Sequence, residues 1–309
     1  MADDASLLNG PTAPAAERPA ERLRIRRVEA VVNPLSGSVG PGAAEELERL
    51  LAAHGYGARV CEANPRDLTC AVRAAVDKAP DLLVILAGDG TAAMAARRAG
   101  PDGPVIAPLA GGTMNMLPHA LYGPMGWREA LEAALKDGEA RWVSGGEVDS
   151  HPFYVAAILG APTLWARARE AMRKGRLDLA LARARTALSR TFSGPLTYRL
   201  DNGVEGSAEA LALLCPLVSR RMDSETALEA AALDVRNAAE TFRLGFNALT
   251  GDWRNDPAVK VHLITGAEAK ARGSIPATLD GEPRRLPSEV SVRFVPRAFR
   301  AFVPAVPTA

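Results

Sequence analysis

With 309 residues, 48% of them hydrophobic, and a formal net charge of +1, the chain is long enough for two domains with full-sized cores. It lacks the large basic excess by which a dedicated nucleic-acid binder neutralises phosphates. Its three cysteines, Cys61, Cys70 and Cys215, form no CxxC pair, which speaks against a zinc site or a disulfide framework and fits a reducing, cytoplasmic compartment. The N-terminus carries acidic residues at once and no apolar h-region, and no uncharged apolar run of spanning length occurs. Neither a secretory signal nor a transmembrane helix is therefore expected.

Residues 1–24 are rich in Ala, Pro and Glu and read as a disordered lead-in. The first strand is expected at Val28–Val32, ending in Asn33-Pro34-Leu35-Ser36-Gly37. Helical spacing of Leu47, Leu50 and Leu51 follows over residues 43–54. A second strand is expected at 58–62. Asn64-Pro65 then reads as a helix start, with Asn as the cap and Pro at the first position. Leu82-Leu83-Val84-Ile85-Leu86 is a short, uninterrupted apolar run, as expected of a strand buried on both faces of a parallel sheet. It leads through Ala87-Gly88-Asp89-Gly90-Thr91 into an Ala-rich helix. Pro104–Ala107 reads as another strand, followed by Gly111-Gly112-Thr113-Met114-Asn115. Strand and helix thus alternate to about residue 140, which implies an α/β domain.

Beyond about residue 146 the pattern changes. A strand is expected at Phe153–Leu159 and a long helix at 163–191. A hairpin is expected at Leu196–Leu200 with the turn Asp201-Asn202-Gly203. Further strands are expected at 209–217, 259–264, 276–280 and 289–294, with one more helix at 238–250. This half reads as a second, β-rich domain. The segment Trp165–Arg190 is rich in arginine; it reads either as a solvated helix face or as a basic surface for anionic lipid headgroups. His54, His119, His151 and His262 share no metal spacing and read as structural or exposed.

In an α/β sheet, ligands bind at the carboxyl ends of the strands. Three glycine-containing loops follow three expected strands in turn, so they should converge on one site. Ser36 and Gly37 suit an anion, although an ordinary strand-to-helix turn would look the same. Gly88 and Gly90 allow close ligand approach, and the helix behind them offers free N–H groups to phosphate. Asp89 would repel a phosphate and makes sense beside Mg²⁺ or a substrate hydroxyl. Thr113 reads as a helix cap, and Asn115 offers both a donor and an acceptor. No GxxxxGK[ST] occurs, and no GxGxxG follows the first strand.

Together these loops resemble the diacylglycerol kinase catalytic-domain family, with its bacterial lipid kinases, sphingosine kinases and ceramide kinases. That family shows NPxSG, GGDGT and PxGTxND loops in this order, then a late DGE motif, here Asp280-Gly281-Glu282. The resemblance covers about 31–125 and 275–305. It implies an α/β nucleotide-binding domain (25–146, with a returning segment at about 294–309) and a β-rich, sandwich-like lipid-substrate domain (147–293), with the active site in the cleft between them.

By the same carry-over, Asn33, Ser36, Gly37, Gly88, Gly90, Thr91, Gly112, Thr113, Asn115 and Glu282 would hold ATP. Asp89 and Glu282 would hold Mg²⁺, and either Asp280 or Asp89 would be the catalytic base, with Asp280 slightly favoured. The implied activity is ATP-dependent phosphorylation of a lipid alcohol (a diacylglycerol, a sphingoid base or a ceramide) by a cytoplasmic protein working peripherally at the inner membrane surface. An NAD kinase, whose family shares a related GGDGT loop, and a non-catalytic relative binding lipid or nucleotide are the alternatives. Departures from the family pattern are Ala87 for the first glycine, one extra residue between Pro108 and the Gly-Thr pair, and Met116 for the aspartate after the asparagine. Of the family's DDGxLD stretch, Met222-Asp223-Ser224 through Ala232-Leu233-Asp234-Val235 keeps only the Leu-Asp-Val ending.

Overall fold

The computed structural model describes residues 24–160, 195–219, 226–233 and 259–305. Nearly all of the lead-in, the helices expected at 163–191 and 238–250, the arginine-rich segment, Met222–Ser224 and Asp234-Val235 lie outside the described residues.

The first half alternates as its sequence suggests. Strands β1 (Val28–Val32), β2 (Ala58–Glu62), β3 (Leu82–Ala87) and β4 (Val105–Ala110) lie parallel in the order β2-β1-β3-β4. Helices α1 (Ala43–Ala53), α2 (Leu68–Asp77), α3 (Asp89–Ala99), α4 (Met116–Tyr122) and α5 (Trp127–Asp137) connect or follow them. Every residue of β1, β3 and β4 is buried, which is why these segments read as continuous apolar runs rather than as alternating ones. The start of α2 differs from expectation: the chain makes a turn over Asn64–Asp67, and regular helix begins only at Leu68. Asn64 still accepts, through its carbonyl, the N–H groups of Asp67 and Leu68.

The second half is a sandwich. One layer is the antiparallel sheet β12-β11-β10-β7-β14-β15, built from β7 (Ala156–Gly160), β10 (Ala210–Leu214), β11 (Leu228–Leu233), β12 (Val259–Ile264), β14 (Ile275–Leu279) and β15 (Glu282–Leu286). Facing it are β8 (Leu196–Leu200), β9 (Glu205–Ala208), β13 (Gly266–Lys270) and the first part of β16 (Glu289–Pro304). Leu196, Tyr198 and Leu200 of β8 and Val290 and Val292 of β16 alternate inward. They share one core with Leu211, Leu213, Leu228, Ile275 and Leu279 of the opposite sheet.

Strand β16 joins the two halves. The sequence suggests a strand over 289–294, but the strand runs to Pro304 through an irregularity between Val295 and Phe299. Before this break Val290 and Val292 belong to the sandwich core; after it Phe299, Ala301, Phe302 and Val303 belong to the core of the α/β half. There Ala301 pairs in parallel with Ile106 of β4. Strand β5 (Gly138–Val148), which the sequence reading did not identify, follows β16 along both segments.

The strand expected at Phe153–Leu159 is divided. The short β6 (His151–Phe153) ends before Tyr154, and β7 begins at Ala156. The strand expected at 209–217 stops at Leu214, and a single 3-10 turn covers Pro216–Val218.

Candidate active site

Three loops leave the carboxyl ends of β1, β3 and β4 and meet. In the first, Asn33 is buried, and its side chain shapes the loop: Oδ1 accepts the Leu35 N–H at 3.1 Å and Nδ2 donates to Ser36 Oγ at 3.3 Å. In the third, the buried Asn115 closes its own loop, with Oδ1 accepting the Gly112 N–H at 2.7 Å and Nδ2 donating to the Gly112 carbonyl at 3.1 Å. Asn115 takes the left-handed conformation, φ 51°, and is itself the residue before α4. Thr113, expected to cap that helix, is exposed two residues earlier.

The second loop turns directly into α3. Gly88 precedes the helix in an extended conformation, with no side chain capping the first turn. The N–H groups of Thr91 and Ala92 bond back to the Gly88 carbonyl. The opening of the helix therefore presents backbone donors and the positive end of its dipole to the space between the loops. Neither Asp89 nor Thr91 caps it; Asp89 is its first residue.

Close approach explains the glycines. A Cβ on Gly112 would stand 2.8 Å from Gly88 Cα, and one on Gly37 would stand 3.1 Å from Thr113 Oγ1. Ser36 Oγ lies 3.7 Å from the corresponding position on Gly88. All three loops are thus within contact of one another, and a side chain at Gly112 would press on the backbone of the second loop. Ser38, which sequence reasoning did not single out, ties the first loop to the third. Its N–H donates to the Gly111 carbonyl at 3.1 Å, and its hydroxyl donates to the carbonyls of Ala110 and Gly112 at 3.3 and 3.1 Å. The only sequence signal for it was a second serine beside Gly37.

The sandwich contributes the turn between β14 and β15. Asp280 and Gly281 both have positive φ, 46° and 84°, as a two-residue hairpin turn requires. Glu282, the next residue, brings its carboxylate over α3: a Cβ on Gly90 would collide with it. Asp280 points inward. Its Oδ2 accepts the Tyr154 N–H at 2.7 Å, and its Oδ1 accepts those of Val155 and Ala156 at 2.8 and 2.9 Å. The Asp280 N–H donates to the Ala156 carbonyl at 2.9 Å. The interruption between β6 and β7 is therefore the place where three successive backbone donors turn to one carboxylate.

The electrostatics follow from this crowding. Burial raises the Asp280 carboxyl to about 6, against the three N–H bonds that favour its charge and with the neighbouring Asp89 pushing the same way. Burial also raises Asp89, and the charge of Glu282 adds to this, while backbone N–H groups at the start of α4 oppose it. One of these is the Leu117 N–H, 3.3 Å from Asp89 Oδ1. The buried Cys215 thiol is raised by desolvation and by Asp280. The Tyr154 phenol, stacked edge-on against Phe299 at 5.0 Å, is raised for the same two reasons.

Asp89 is thus repelled by Glu282 on one side and repels Asp280 on the other; with the oxygens of Asp280 turned to the backbone, Asp89 and Glu282 are the pair whose repulsion a divalent cation would relieve. Among the described residues no three His, Cys, Asp or Glu gather to enclose a metal alone. The ion that fits is one that draws on one or two carboxylates and takes phosphate and water for the rest, as Mg²⁺ does. No helix of the described residues is long and apolar enough to cross a membrane.

Residues 27–148 match the family model described as the diacylglycerol kinase catalytic domain, the family that the loops resemble. The match takes in β1 through β5 and all three glycine loops. Among solved structures, the chain resembles a candidate diacylglycerol kinase from Bacillus anthracis str. Sterne with a TM-score of 0.70 at 17% identity, over 91% of this chain and 98% of that one. A second structure, of a diacylglycerol kinase from the same organism, gives a TM-score of 0.67 at 17% identity over the same shares. At that identity the shared property is the fold: a mixed α/β domain with a β-rich second domain. No curated protein matches the chain. The likeness to the family model is thus confined to residues 27–148, and beyond them the solved structures extend it as a likeness of fold.

Proposed function

We propose that the protein transfers the γ-phosphoryl group of ATP to the hydroxyl of a lipid alcohol. The observation that carries this reading is the meeting of the three loops with the turn of the second domain, where Glu282 stands against Gly90 and Asp280 beside Asp89. The uncapped opening of α3, with its backbone donors, thus lies next to a group of carboxylates. Phosphoryl transfer needs little more than in-line positioning, charge neutralisation and a proton acceptor.

In this reading Ser36, Gly37, Gly88, Gly90, Thr91, Gly112 and Thr113 cradle the triphosphate, and Asn33 and Asn115 hold the loops in shape for it. The acceptor oxygen bonds to the γ-phosphorus as the bond from that phosphorus to the β-bridging oxygen breaks, and ADP leaves. The hydroxyl proton passes to Asp89. Asp280 is the less suitable base because three backbone N–H groups already occupy its oxygens; it acts as a positioning residue that fixes the turn carrying Glu282. Asp89 and Glu282 would hold Mg²⁺, which when bound neutralises phosphate charge. Residues 25–146 with 294–309 form the nucleotide unit and 147–293 the lipid unit, and the protein works from the cytoplasm at the inner membrane surface.

The test is phase partition. Purified protein is given γ-labelled ATP, Mg²⁺ and mixed micelles of a diacylglycerol, sphingosine or ceramide, with NAD as a parallel acceptor. Label in the organic phase is expected. Label confined to an aqueous NADP product would replace this reading with that of an NAD kinase.

A further inference from the structure

The rim of this site is apolar where its interior is charged. Among the described residues three large hydrophobic side chains are prominently exposed, and two of them, Leu35 at 71% and Met114 at 51%, sit on the first and third loops. Met114 is not isolated. Its Cε and Cγ lie 3.7 and 3.8 Å from where a Cβ on Gly281 would be, and Met116 Sδ lies 3.0 Å from the same point. Two methionines therefore pack against the Asp280–Gly281 turn, which carries Glu282 as its next residue. Met116 is also the first residue of α4, a first turn with no acidic residue, although a carboxylate would be favoured there by the helix dipole.

We infer that Met114 and Met116 form an apolar sill that receives the hydrocarbon part of the acceptor beside its reacting hydroxyl and so selects lipid alcohols over polar ones. The inference rests on the kinase reading above and adds the residues that determine specificity. In this reading an acceptor whose hydroxyl reaches Asp89 lies along the turn that the two methionines cover. An anionic acceptor would meet the repulsion of Asp89, Asp280 and Glu282, whereas a neutral chain meets two flexible thioethers able to follow its shape.

The experiment uses the full chain and three short-chain acceptors kept below their micelle concentrations, a diacylglycerol, a sphingoid base and a ceramide, so that docking to an interface plays no part. The variants are the doubles Met114→Gln/Met116→Gln and Met114→Leu/Met116→Leu. Acceptor binding is measured by calorimetry, and KM is measured separately for acceptor and ATP. The Gln pair should weaken binding and raise the acceptor KM roughly tenfold, the low end of what one altered contact in an apolar pocket is worth. It should leave the KM for ATP and the melting temperature unchanged, and the Leu pair should stay near wild type. A rise in the KM for ATP instead would make the methionines part of the nucleotide site and overturn the inference, as would unchanged acceptor binding. Wild-type protein that binds an acceptor through the methionines without phosphorylating it would sink the kinase reading and leave the sill standing. Wild-type protein that binds none of the three would overturn both.

Discussion

The two aspartate turns of the site are built on opposite terms. Asp89 opens a helix at the end of a parallel strand, partly accessible, with the N–H groups of Asn115, Met116 and Leu117 turned towards it but only that of Leu117 within hydrogen-bond distance, at 3.3 Å, and with the carboxylate of Glu282 nearby. Asp280 sits at the tip of an antiparallel hairpin, buried, with three backbone donors at 2.7 to 2.9 Å. The first is free to change partners during a reaction. The second is committed to holding the β6–β7 break and the β14–β15 turn together. A raised pKa therefore marks both groups and does not tell them apart; the closeness of their backbone donors does.

Four substitutions sharpen this contrast. Replacing Asp89 with Asn should lower kcat by about 10²–10⁴-fold, the usual worth of a proton acceptor, with the melting temperature preserved, as initial rates and calorimetry will tell. Changing Asp280→Ala strands the N–H groups of Tyr154, Val155 and Ala156, and should cost about 3 kcal/mol in urea unfolding, since each buried donor left unpaired carries a penalty. A variant as stable as wild type would mean that these bonds do not hold the turn. Gly112→Ala places a methyl group against the Gly88 backbone, so it should weaken nucleotide binding by about 1–3 kcal/mol, as overpacking does. Ser38→Ala should have the smallest effect, about 1 kcal/mol of stability from its hydroxyl bonds.

The same contrast has a pH signature. Asp280 titrates near 6 in the folded protein, above its ordinary value of 3.8. Between these values the folded state holds a proton that the unfolded chain has lost, so this group's contribution to stability is present below about pH 4 and is lost as pH rises through about 6. Wild type should therefore lose stability relative to Asp280→Asn across that window. A difference between the two proteins that is flat with pH would contradict the burial of an ionising group there.

The part of this site contributed by the α/β half is legible in the sequence because β1, β3 and β4 are fully buried and lead into glycine-containing loops. An uninterrupted run such as Leu82–Leu86 followed by Gly88-Asp89-Gly90 has few other meanings. Apart from its likeness to the family's DGE motif, Asp280-Gly281 reads as a hairpin turn. That its carboxylate reaches residues 154–156 depends on pairing across more than a hundred residues, and Phe153–Leu159 by itself reads as one strand. The length of β16 escaped because Val295–Phe299 breaks the alternation as the strand passes from one core to the other. Strand β11, Leu-Glu-Ala-Ala-Ala-Leu, carries the composition of a helix and is held extended by pairing with β10 and β12 on both sides. Ser38 was not singled out because its partners are backbone carbonyls of another loop, which no local pattern encodes.

The most direct test puts both rival acceptors in one tube. Wild type and Asp89→Asn are incubated with γ-labelled ATP, Mg²⁺, NAD and a diacylglycerol, sphingosine or ceramide in mixed micelles, and label is counted in the organic and aqueous products. The account requires lipid-phase label from wild type, loss of nearly all of it in the variant, and no NADP. Label in NADP, or lipid-phase label that persists undiminished in Asp89→Asn, would contradict it.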